Sequence, residues 1–303
     1  ATALQNYLAC PAKFYYTVIK GLQREEEVSE NLDAGMFGTI FHEVMQSLYT
    51  SEEAMAPDFF FDDREAVRAL TPLRHITRAY IQSWRDREPV IRAKVRALIE
   101  HELNVAEVTG RNLVVTDVIV RYVMKTLQSD LQILRESGKD SFEILGRELR
   151  VGGTFHGFRF KGFVDRFDAF GSDEVRVVDY KTGRVLDDDI FIDDGNAEAI
   201  AQKIFTPDVK DRPKIALQFY IYDLLVQGRD EVKGRNLYNC VYSTSRLFGE
   251  LPVAVPVNKV FFDSVSEKLK AVLDEMCDPD VGFRRTADES VCGYCDFKTI
   301  CGR

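Results

Sequence analysis

The spacing of apolar residues divides the chain into a mostly helical first half and a second half in which strands and helices alternate. In the first half, apolar residues recur every three or four positions, which predicts a helix over residues 35–49. The pattern stays mostly helical over residues 63–137, where Pro72 and Pro89 interrupt it. We therefore expect a helical insertion at 63–137 rather than a separate domain.

Alternation of apolar and polar residues begins near Ser141 and predicts strands over residues 142–150 and 155–170, joined by a turn at Gly152–Gly153. The other predicted elements are strands over 175–181 and 237–243, helices over 215–226 and 262–276, and a short helix over 4–22 that is interrupted at Cys10–Pro11. We expect one α/β domain over residues 1–303, with a core sheet flanked by helices.

Composition narrows the class of protein. The chain has 303 residues, 45% hydrophobic and 29% charged, which is typical of a globular protein and not of a disordered or fibrous one. No apolar run is long enough to cross a membrane, and no signal peptide is visible. The chain begins at Ala1 rather than Met, which leaves open whether it is part of a longer protein. Six cysteines are too few for a disulfide-stapled secreted scaffold, so we expect a cytoplasmic protein.

The net charge of −9 argues against a broad surface that coats DNA without regard to sequence. It does not exclude a local basic cleft, because charge placement sets the local field. We expect basic contacts from two groups of residues. The first group is Lys13, Lys20 and Arg24, and the second is Arg85, Arg87, Arg92, Lys94 and Arg96, for which a solvated helix face is an equal alternative.

Asp165, Asp179 and Lys181 form the first candidate site. Side chains alternate along a strand, so Asp179 and Lys181 share one face, and Asp165 lies on the strand predicted to pair with theirs. Two converging carboxylates bind a hard divalent cation through oxygen, and a neighbouring lysine can orient a water or stabilise charge on a phosphate. A salt bridge on a solvated sheet face is the alternative. Apolar neighbours on both sides favour a buried site.

Cysteine spacing gives a second candidate site. Cys292, Cys295 and Cys301 can supply three thiolates to one metal centre, and Cys10 is the best candidate for the fourth. Cys240 and Cys277 are expected to be buried apolar residues. Four thiolates suit tetrahedral zinc and a [4Fe–4S] cluster about equally. A centre that joins Cys10 to the C-terminal trio would staple the two ends of the fold.

Six motifs in the correct order resemble the RecB-like branch of the PD-(D/E)xK nucleases. The resemblance extends over nearly the whole chain and is greatest to the iron–sulfur nuclease domain of AddB-type helicase–nuclease subunits, which Cas4-like exonucleases share. The motifs are Leu8-Ala-Cys-Pro-Ala-Lys-Phe-Tyr-Tyr16, Gly38-Thr-Ile-Phe-His42, Gly162-Phe-Val-Asp-Arg-Phe-Asp168, Val178-Asp-Tyr-Lys-Thr-Gly183, Gln218-Phe-Tyr-Ile-Tyr222 and the trio Cys292, Cys295 and Cys301.

The resemblance implies a restriction-endonuclease-like core and a role for each matching residue. His42, Asp165, Asp179 and the backbone carbonyl of Tyr180 would hold Mg²⁺ or Mn²⁺. Lys181 would position the attacking water, while Gln218 and Tyr222 would steady the site and the DNA strand. Cys10, Cys292, Cys295 and Cys301, in segments 4–22 and 290–303, would hold a structural [4Fe–4S] cluster, with zinc as the less favoured occupant.

The activity that the resemblance implies is a metal-dependent DNA exonuclease in double-strand-break processing. No Walker motif occurs, so a helicase or ATPase partner would lie upstream in the same protein or in another subunit. The alternatives are a free-standing Cas4-like exonuclease and a non-catalytic, zinc-stapled DNA-binding module. The acidic stretch from Asp187 to Asp194 matches no motif, and we expect a solvated loop there, with a second metal site as the remote alternative.

Overall fold

A six-stranded mixed sheet with the strand order β1-β2-β3-β4-β5-β6 runs through the computed structural model, which describes residues 2–23 and 31–303. The predicted basic contact Arg24 lies outside the described residues. The strands are β1 (His75–Thr77), β2 (Ser141–Phe155), β3 (Phe158–Ala169), β4 (Glu174–Lys181), β5 (Asn236–Ser243) and β6 (Ala254–Pro256).

Helices cover both faces of this sheet. They are α1 (Thr2–Ala9), α2 (Pro11–Phe14), α3 (Ala34–Thr50), α4 (Arg64–Ala69), α5 (Arg78–Arg85), α6 (Glu88–Leu103), α7 (Arg111–Glu136), α8 (Ala197–Phe205), α9 (Lys214–Val226) and α10 (Lys259–Cys277). A π-helical turn at Tyr15–Ile19 follows α2. The segment 63–137 thus holds four helices and, in addition, the short strand β1 at the sheet edge. No helix in the described part of the chain is long and apolar enough to cross a membrane.

Strands β2, β3 and β4 form an antiparallel meander, and β4 then pairs in parallel with β5. A parallel pair needs a crossover connection, which α8 and α9 supply. This connection places α9 against the face of the sheet on which the odd-numbered residues of β4 lie, where Val175 and Val177 contact Phe219 and Val226 in one apolar cluster. Helices α3, α6 and α7 pack on the opposite face, where they surround Phe142 and Tyr180.

The turn between β2 and β3 lies at His156–Gly157 and not at Gly152–Gly153, so that prediction is wrong. Both residues of the turn have positive φ, 46° at His156 and 83° at Gly157, as a two-residue hairpin turn requires. Gly153 is instead a strand residue that packs closely against α9. A Cβ on Gly153 would lie only 3.0 Å from Leu225 Cδ2 of that helix. Gly153 therefore marks the close approach of a helix rather than a turn.

The two ends of the chain pack against each other. Ala12 N donates a hydrogen bond of 3.1 Å to the carbonyl of Arg284. Aromatic rings reinforce the contact, since the ring centroids of Phe14 and Phe283 lie 5.9 Å apart and those of Tyr16 and Phe297 lie 5.3 Å apart. The N-terminal helices are therefore anchored to the C-terminal segment across the body of the fold.

Candidate active site

Asp165 and Asp179 lie at adjacent positions on β3 and β4. The last antiparallel pair of these strands is Arg166 with Val178, and the next residues along are Asp165 and Asp179. The amide of Tyr180 donates a 2.7 Å hydrogen bond to Asp165 Oδ2, which holds this carboxylate against β4. The Asp179 side chain is only 1% exposed, and its Oδ2 forms a 2.6 Å ion pair with Lys181 Nζ. The structure thus brings together the three residues predicted from strand alternation.

His42 reaches the same point from α3. Asp33 caps this helix by accepting a hydrogen bond from Met36 N at 2.8 Å. His42 Nε2 lies 2.9 Å from the carbonyl of Tyr180, and Nδ1 lies 3.5 Å from Asp165 Oδ2. The two groups predicted to share a cation, the His42 ring and the Tyr180 carbonyl, are therefore in direct contact.

Glu148 is a member of the site that the sequence analysis missed. Its Oε1 lies 3.9 Å from His42 Nδ1, and ligand atoms of His42, Glu148 and Asp165 all lie within 4.8 Å of one another. Glu148 has a φ of 41°, a left-handed conformation that is uncommon for a residue other than glycine. This strained backbone conformation directs the Glu148 carboxylate, the third of the site, toward His42 and Asp165.

A change of strand phase was the available signal for Glu148. Apolar residues occupy even positions at the start of β2, Phe142 and Ile144, and odd positions later, Leu149 and Val151, so the buried side of the strand changes between them. The structure has a register irregularity between Ile144 and Gly146. Bulges re-aim side chains in this way and are frequent next to active sites.

Helix α9 brings Gln218 and Tyr222 to the site. Gln218 Nε2 donates to Asp179 Oδ1 at 3.0 Å and to the Tyr222 hydroxyl at 2.7 Å. Lys181 Nζ in turn donates to Gln218 Oε1 at 3.1 Å. Gln218 therefore fixes the geometry of the Asp179–Lys181 pair, and Tyr222 fixes Gln218.

The acidic stretch 187–194 is not simply the solvated loop that the sequence suggested. Asp189 is buried and accepts hydrogen bonds from Ile215 N at 2.8 Å and from Ala216 N at 3.3 Å. It thereby satisfies free amides in the first turn of α9. Asp188 pairs with Lys203 at 2.6 Å. This stretch thus sets where α9 begins.

Crowded acidic groups give the site its electrostatic character. Burial raises the pKa of Asp179 to about 6, and Asp165 adds to the effect while Lys181 opposes it. Burial alone would lower the pKa of His42, but its contacts with Asp165 and Glu148 outweigh burial and raise it to about 10. Carboxylates forced together in a buried site are relieved by a cation, and the carboxylate–imidazole donor set fits a divalent metal.

The cysteines divide into a group and two isolated residues. Burial raises the pKa of Cys301, and the nearby Cys10 and Cys295 thiols raise it further, which places the thiols of both chain ends in one neighbourhood. Cys240 is buried as predicted. Cys277 is exposed at the end of α10, so the prediction that it is buried is wrong.

The predicted basic contacts of the helical insertion are mostly engaged within the protein. Lys94 is wholly buried and donates to the carbonyls of Ala56 and Phe59, so its assignment as a DNA contact is wrong. Arg87 stacks on Trp84 and pairs with Glu52, and Arg92 pairs with Glu88 and Asp117. Arg85 and Arg96 have no carboxylate partner among the described residues, Lys20 is exposed and Lys13 is half-buried.

The sequence profile of the PD-(D/E)XK nuclease superfamily matches residues 1–302. The chain belongs to this superfamily. The mixed six-stranded sheet flanked by helices agrees with the restriction-endonuclease-like fold of PD-(D/E)XK nucleases. No curated protein matches the chain. Superfamily membership identifies a nuclease of a class that uses divalent metals and acts on DNA.

Proposed function

We propose that the protein is a metal-dependent DNA exonuclease domain. The observation that carries the proposal is the convergence of His42, Glu148 and Asp165 beside Asp179 on the adjacent strand, with Lys181 fixed between Asp179 and Gln218. A salt bridge on a solvated sheet face would not bury Asp179 to 1% exposure. The fixed Asp179–Lys181–Gln218 contacts also disfavour a non-catalytic DNA-binding module, because binding alone does not require a lysine held at the end of a strand beside two carboxylates.

The donor set supports Mg²⁺ or Mn²⁺ as the metal. His42, Glu148, Asp165, Asp179 and the carbonyl of Tyr180 would hold it. A divalent cation held there would polarise the scissile phosphate and lower the pKa of a coordinated water. Carboxylate and carbonyl oxygens suit Mg²⁺ and Mn²⁺, and the imidazole favours Mn²⁺ of the two.

Lys181, Gln218 and Tyr222 carry the remaining roles. Interaction with Asp179 raises the pKa of Lys181 against the opposing effect of burial, so the ammonium stays charged and can donate to the attacking water or to a phosphate oxygen. Gln218 holds both Asp179 and Lys181, and Tyr222 holds Gln218. These contacts fix the lysine before substrate arrives, which is the arrangement that preorganised catalysis requires.

The four cysteines support assignment to the AddB-type branch. Cys10, Cys292, Cys295 and Cys301 would hold a [4Fe–4S] cluster at the junction of the two chain ends. In this role the protein would process DNA ends in the cytoplasm, and a helicase partner would unwind the DNA and deliver a strand to it.

The decisive test separates catalysis from metal binding. We expect Lys181→Ala to lower the rate of nucleotide release from linear DNA by ~10²-fold or more, because positioning and proton-transfer roles are typically worth that much. Mn²⁺ affinity, measured by calorimetry, should stay close to that of the parent. Glu148→Gln and Asp179→Ala should instead weaken Mn²⁺ binding about tenfold or more, since each removes a charged ligand.

Two matched controls accompany these variants. Lys203→Ala removes a surface ion pair with Asp188, and Glu143→Gln removes one with Arg74 on the same strand as Glu148. Both should cleave DNA at the parental rate, and a chelator should abolish all cleavage. If Lys181→Ala also cleaved at the parental rate, the assignment of this site as catalytic would be wrong.

A further inference from the structure

The outer half of the β2–β3 hairpin extends beyond the rest of the sheet. Strand β4 pairs with β3 only over Arg166–Ala169, so the part of β3 before Asp165 pairs with β2 alone among the described residues. One face of this extension is covered, because Gly153 and Gly162 pack closely against Leu225 and Tyr222 of α9. The other face is open.

The open face carries three cations and one aromatic ring. Arg150 pairs across the strands with Phe163, Gly152 with Lys161, and Thr154 with Arg159. Alternate pairs lie on one face of a hairpin, and all six of these residues are exposed. Phe163 is 52% exposed, and no other large apolar side chain in the described strands is exposed. We call these four residues, Arg150, Arg159, Lys161 and Phe163, the hairpin face.

The charge of the hairpin face is opposite to that of the whole chain. In the described part of the protein no carboxylate lies within ion-pairing distance of Arg150, Arg159 or Lys161, whereas the arginines Arg166, Arg176 and Arg184 each pair with an aspartate. Three uncompensated cations in a protein of net charge −9 form a local site for a polyanion.

This face is continuous with the proposed active site. Arg159, Lys161 and Phe163 line a groove of about 630 Å³ that also borders Gln218 and Tyr222. A second groove of about 700 Å³ contains Arg150, Arg159 and Lys161. Along the strands, Phe163 lies two residues from Asp165 and Arg150 two residues from Glu148, or roughly 7 Å at the rise of a strand.

We propose that the hairpin face is a track for a single DNA strand that leads to the catalytic carboxylates. Phosphates would contact Arg150, Arg159 and Lys161, and an unpaired base would stack on Phe163. Single-stranded DNA is recognised by this combination of a cationic groove and an exposed ring, whereas the bases of a duplex are already stacked on each other. The proposal rests on the proposed nuclease function and adds the form of the substrate and its path.

The test uses the full chain and a fluorescein-labelled single-stranded oligothymidylate, with divalent metal omitted during binding so that no cleavage occurs. We expect Phe163→Ala to weaken binding about tenfold, as for loss of one stacked base. The double variant Arg159→Glu/Lys161→Glu should weaken it about tenfold or more at low salt. It should also reduce the slope of log affinity against log salt by about 1.4, or about 0.7 for each lost phosphate contact.

Two control variants make the same changes at other places on the surface, a double charge reversal and the removal of an exposed ring. Arg68→Glu/Arg135→Glu makes the same change in net charge at exposed residues outside both grooves, and Phe191→Ala removes a ring that is 44% exposed elsewhere. Both should bind the oligonucleotide like the parent. If the hairpin variants bound the oligonucleotide with the affinity and salt dependence of the parent, the proposal would be wrong, and the hairpin face would be a candidate surface for a protein partner instead.

A small phosphodiester separates this proposal from the nuclease function. Bis(p-nitrophenyl) phosphate is too short to reach the hairpin, so the hairpin variants should hydrolyse it in Mn²⁺ at the parental rate while they lose activity on single-stranded DNA. A parent that cleaves neither substrate would contradict the nuclease function itself. A parent that cleaves DNA, together with hairpin variants that cleave it equally well, would contradict the track alone.

Discussion

The carboxylate of Asp223 is buried although it takes no part in the proposed catalysis. Asp223 on α9 is 4% exposed and accepts a hydrogen bond from Asn239 Nδ2 at 2.9 Å. Burial raises its pKa from 3.8 to about 7, although the Asn239 hydrogen bond lowers it in part. The folded protein therefore keeps Asp223 protonated at pH values where the unfolded chain has released the proton.

This difference predicts a pH dependence of stability. Between about pH 4 and pH 7 the folded state binds one more proton at Asp223 than the unfolded state, so the free energy of unfolding falls as pH rises. The full contribution is present below the unfolded pKa and is lost once pH passes the folded pKa. Asp223→Asn should abolish this component, which amounts to a few kcal/mol.

The measurement is urea unfolding of parent and variant across this pH range. Asp223→Asn should gain stability relative to the parent as pH increases, while Asp230→Asn, at an exposed residue paired with Lys233, should follow the parent throughout. Parallel pH profiles for Asp223→Asn and the parent would show that Asp223 is ionised in both states.

Two elements, β3 and α9, meet so closely that one glycine is required between them. A Cβ on Gly162 would lie 2.8 Å from Tyr222 Cε1, a distance that real Cβ atoms do not adopt. Gly162→Ala should therefore displace the Tyr222 ring, and with it Gln218 and the Asp179–Lys181 pair that Gln218 holds. We expect a stability loss of about 1–3 kcal/mol and a larger proportional loss of cleavage rate.

Gly152→Ala is the matched control on the same hairpin. A Cβ there would lie 3.5 Å from the carbonyl of Phe160, which is an ordinary contact. Thermal melting and the DNA cleavage rate should both stay close to the parent in this control. Cleavage by Gly162→Ala at the parental rate would mean that the Tyr222–Gln218 contact does not position the site.

Helical and strand periodicity predicted most of the elements that carry the site. Strand β4, helix α3 and helix α9 all lie close to where the apolar residues placed them, because α3 buries one regular face and β4 and α9 are apolar and buried along most of their length. Periodicity failed where the chain departs from a regular face. The irregularity near Leu145 and the left-handed backbone at Glu148 changed the phase of β2, and the close packing of Gly153 under α9 looked like a turn.

The sequence identified residues of the site that lie on distant segments by their motifs, but it did not predict the contacts between them. Alternation placed Asp179 and Lys181 on one face, but the hydrogen bonds of Gln218 depend on how α9 lies across the sheet. The burial of Lys94 also depends on a distant segment. Its ammonium donates to the backbone carbonyls of Ala56 and Phe59, which lie 38 and 35 residues earlier in the chain. Local sequence does not contain that information, because tertiary packing decides it.

At the scale of the whole molecule, the two chain ends form one structural unit. Cys10 begins α2, and the aromatic rings that follow it pack on Phe283 and Phe297. Backbone contacts join Ala12 to Arg284, and the Arg285 side chain donates to the carbonyl of Cys301. The catalytic strands lie between these ends in the sequence, so a metal centre at the junction would hold the fold together without touching the reacting groups.

This arrangement predicts that Cys295→Ser affects stability rather than chemistry. Closing a loop of nearly the whole chain removes roughly 5 kcal/mol of unfolded-state entropy, and losing most of it should lower the melting temperature by about 10 °C. Freshly purified parent protein should show the broad visible absorption of an iron–sulfur cluster, and Cys295→Ser should lose it.

The matched control is Cys277→Ser, because Cys277 is exposed at the end of α10 and belongs to no motif. It should keep both the absorption and the melting temperature of the parent. The remaining folded fraction of Cys295→Ser should still hydrolyse bis(p-nitrophenyl) phosphate at low temperature, since the aromatic contacts between the chain ends persist. A Cys295→Ser protein that melts like the parent would show that the four cysteines do not staple the fold.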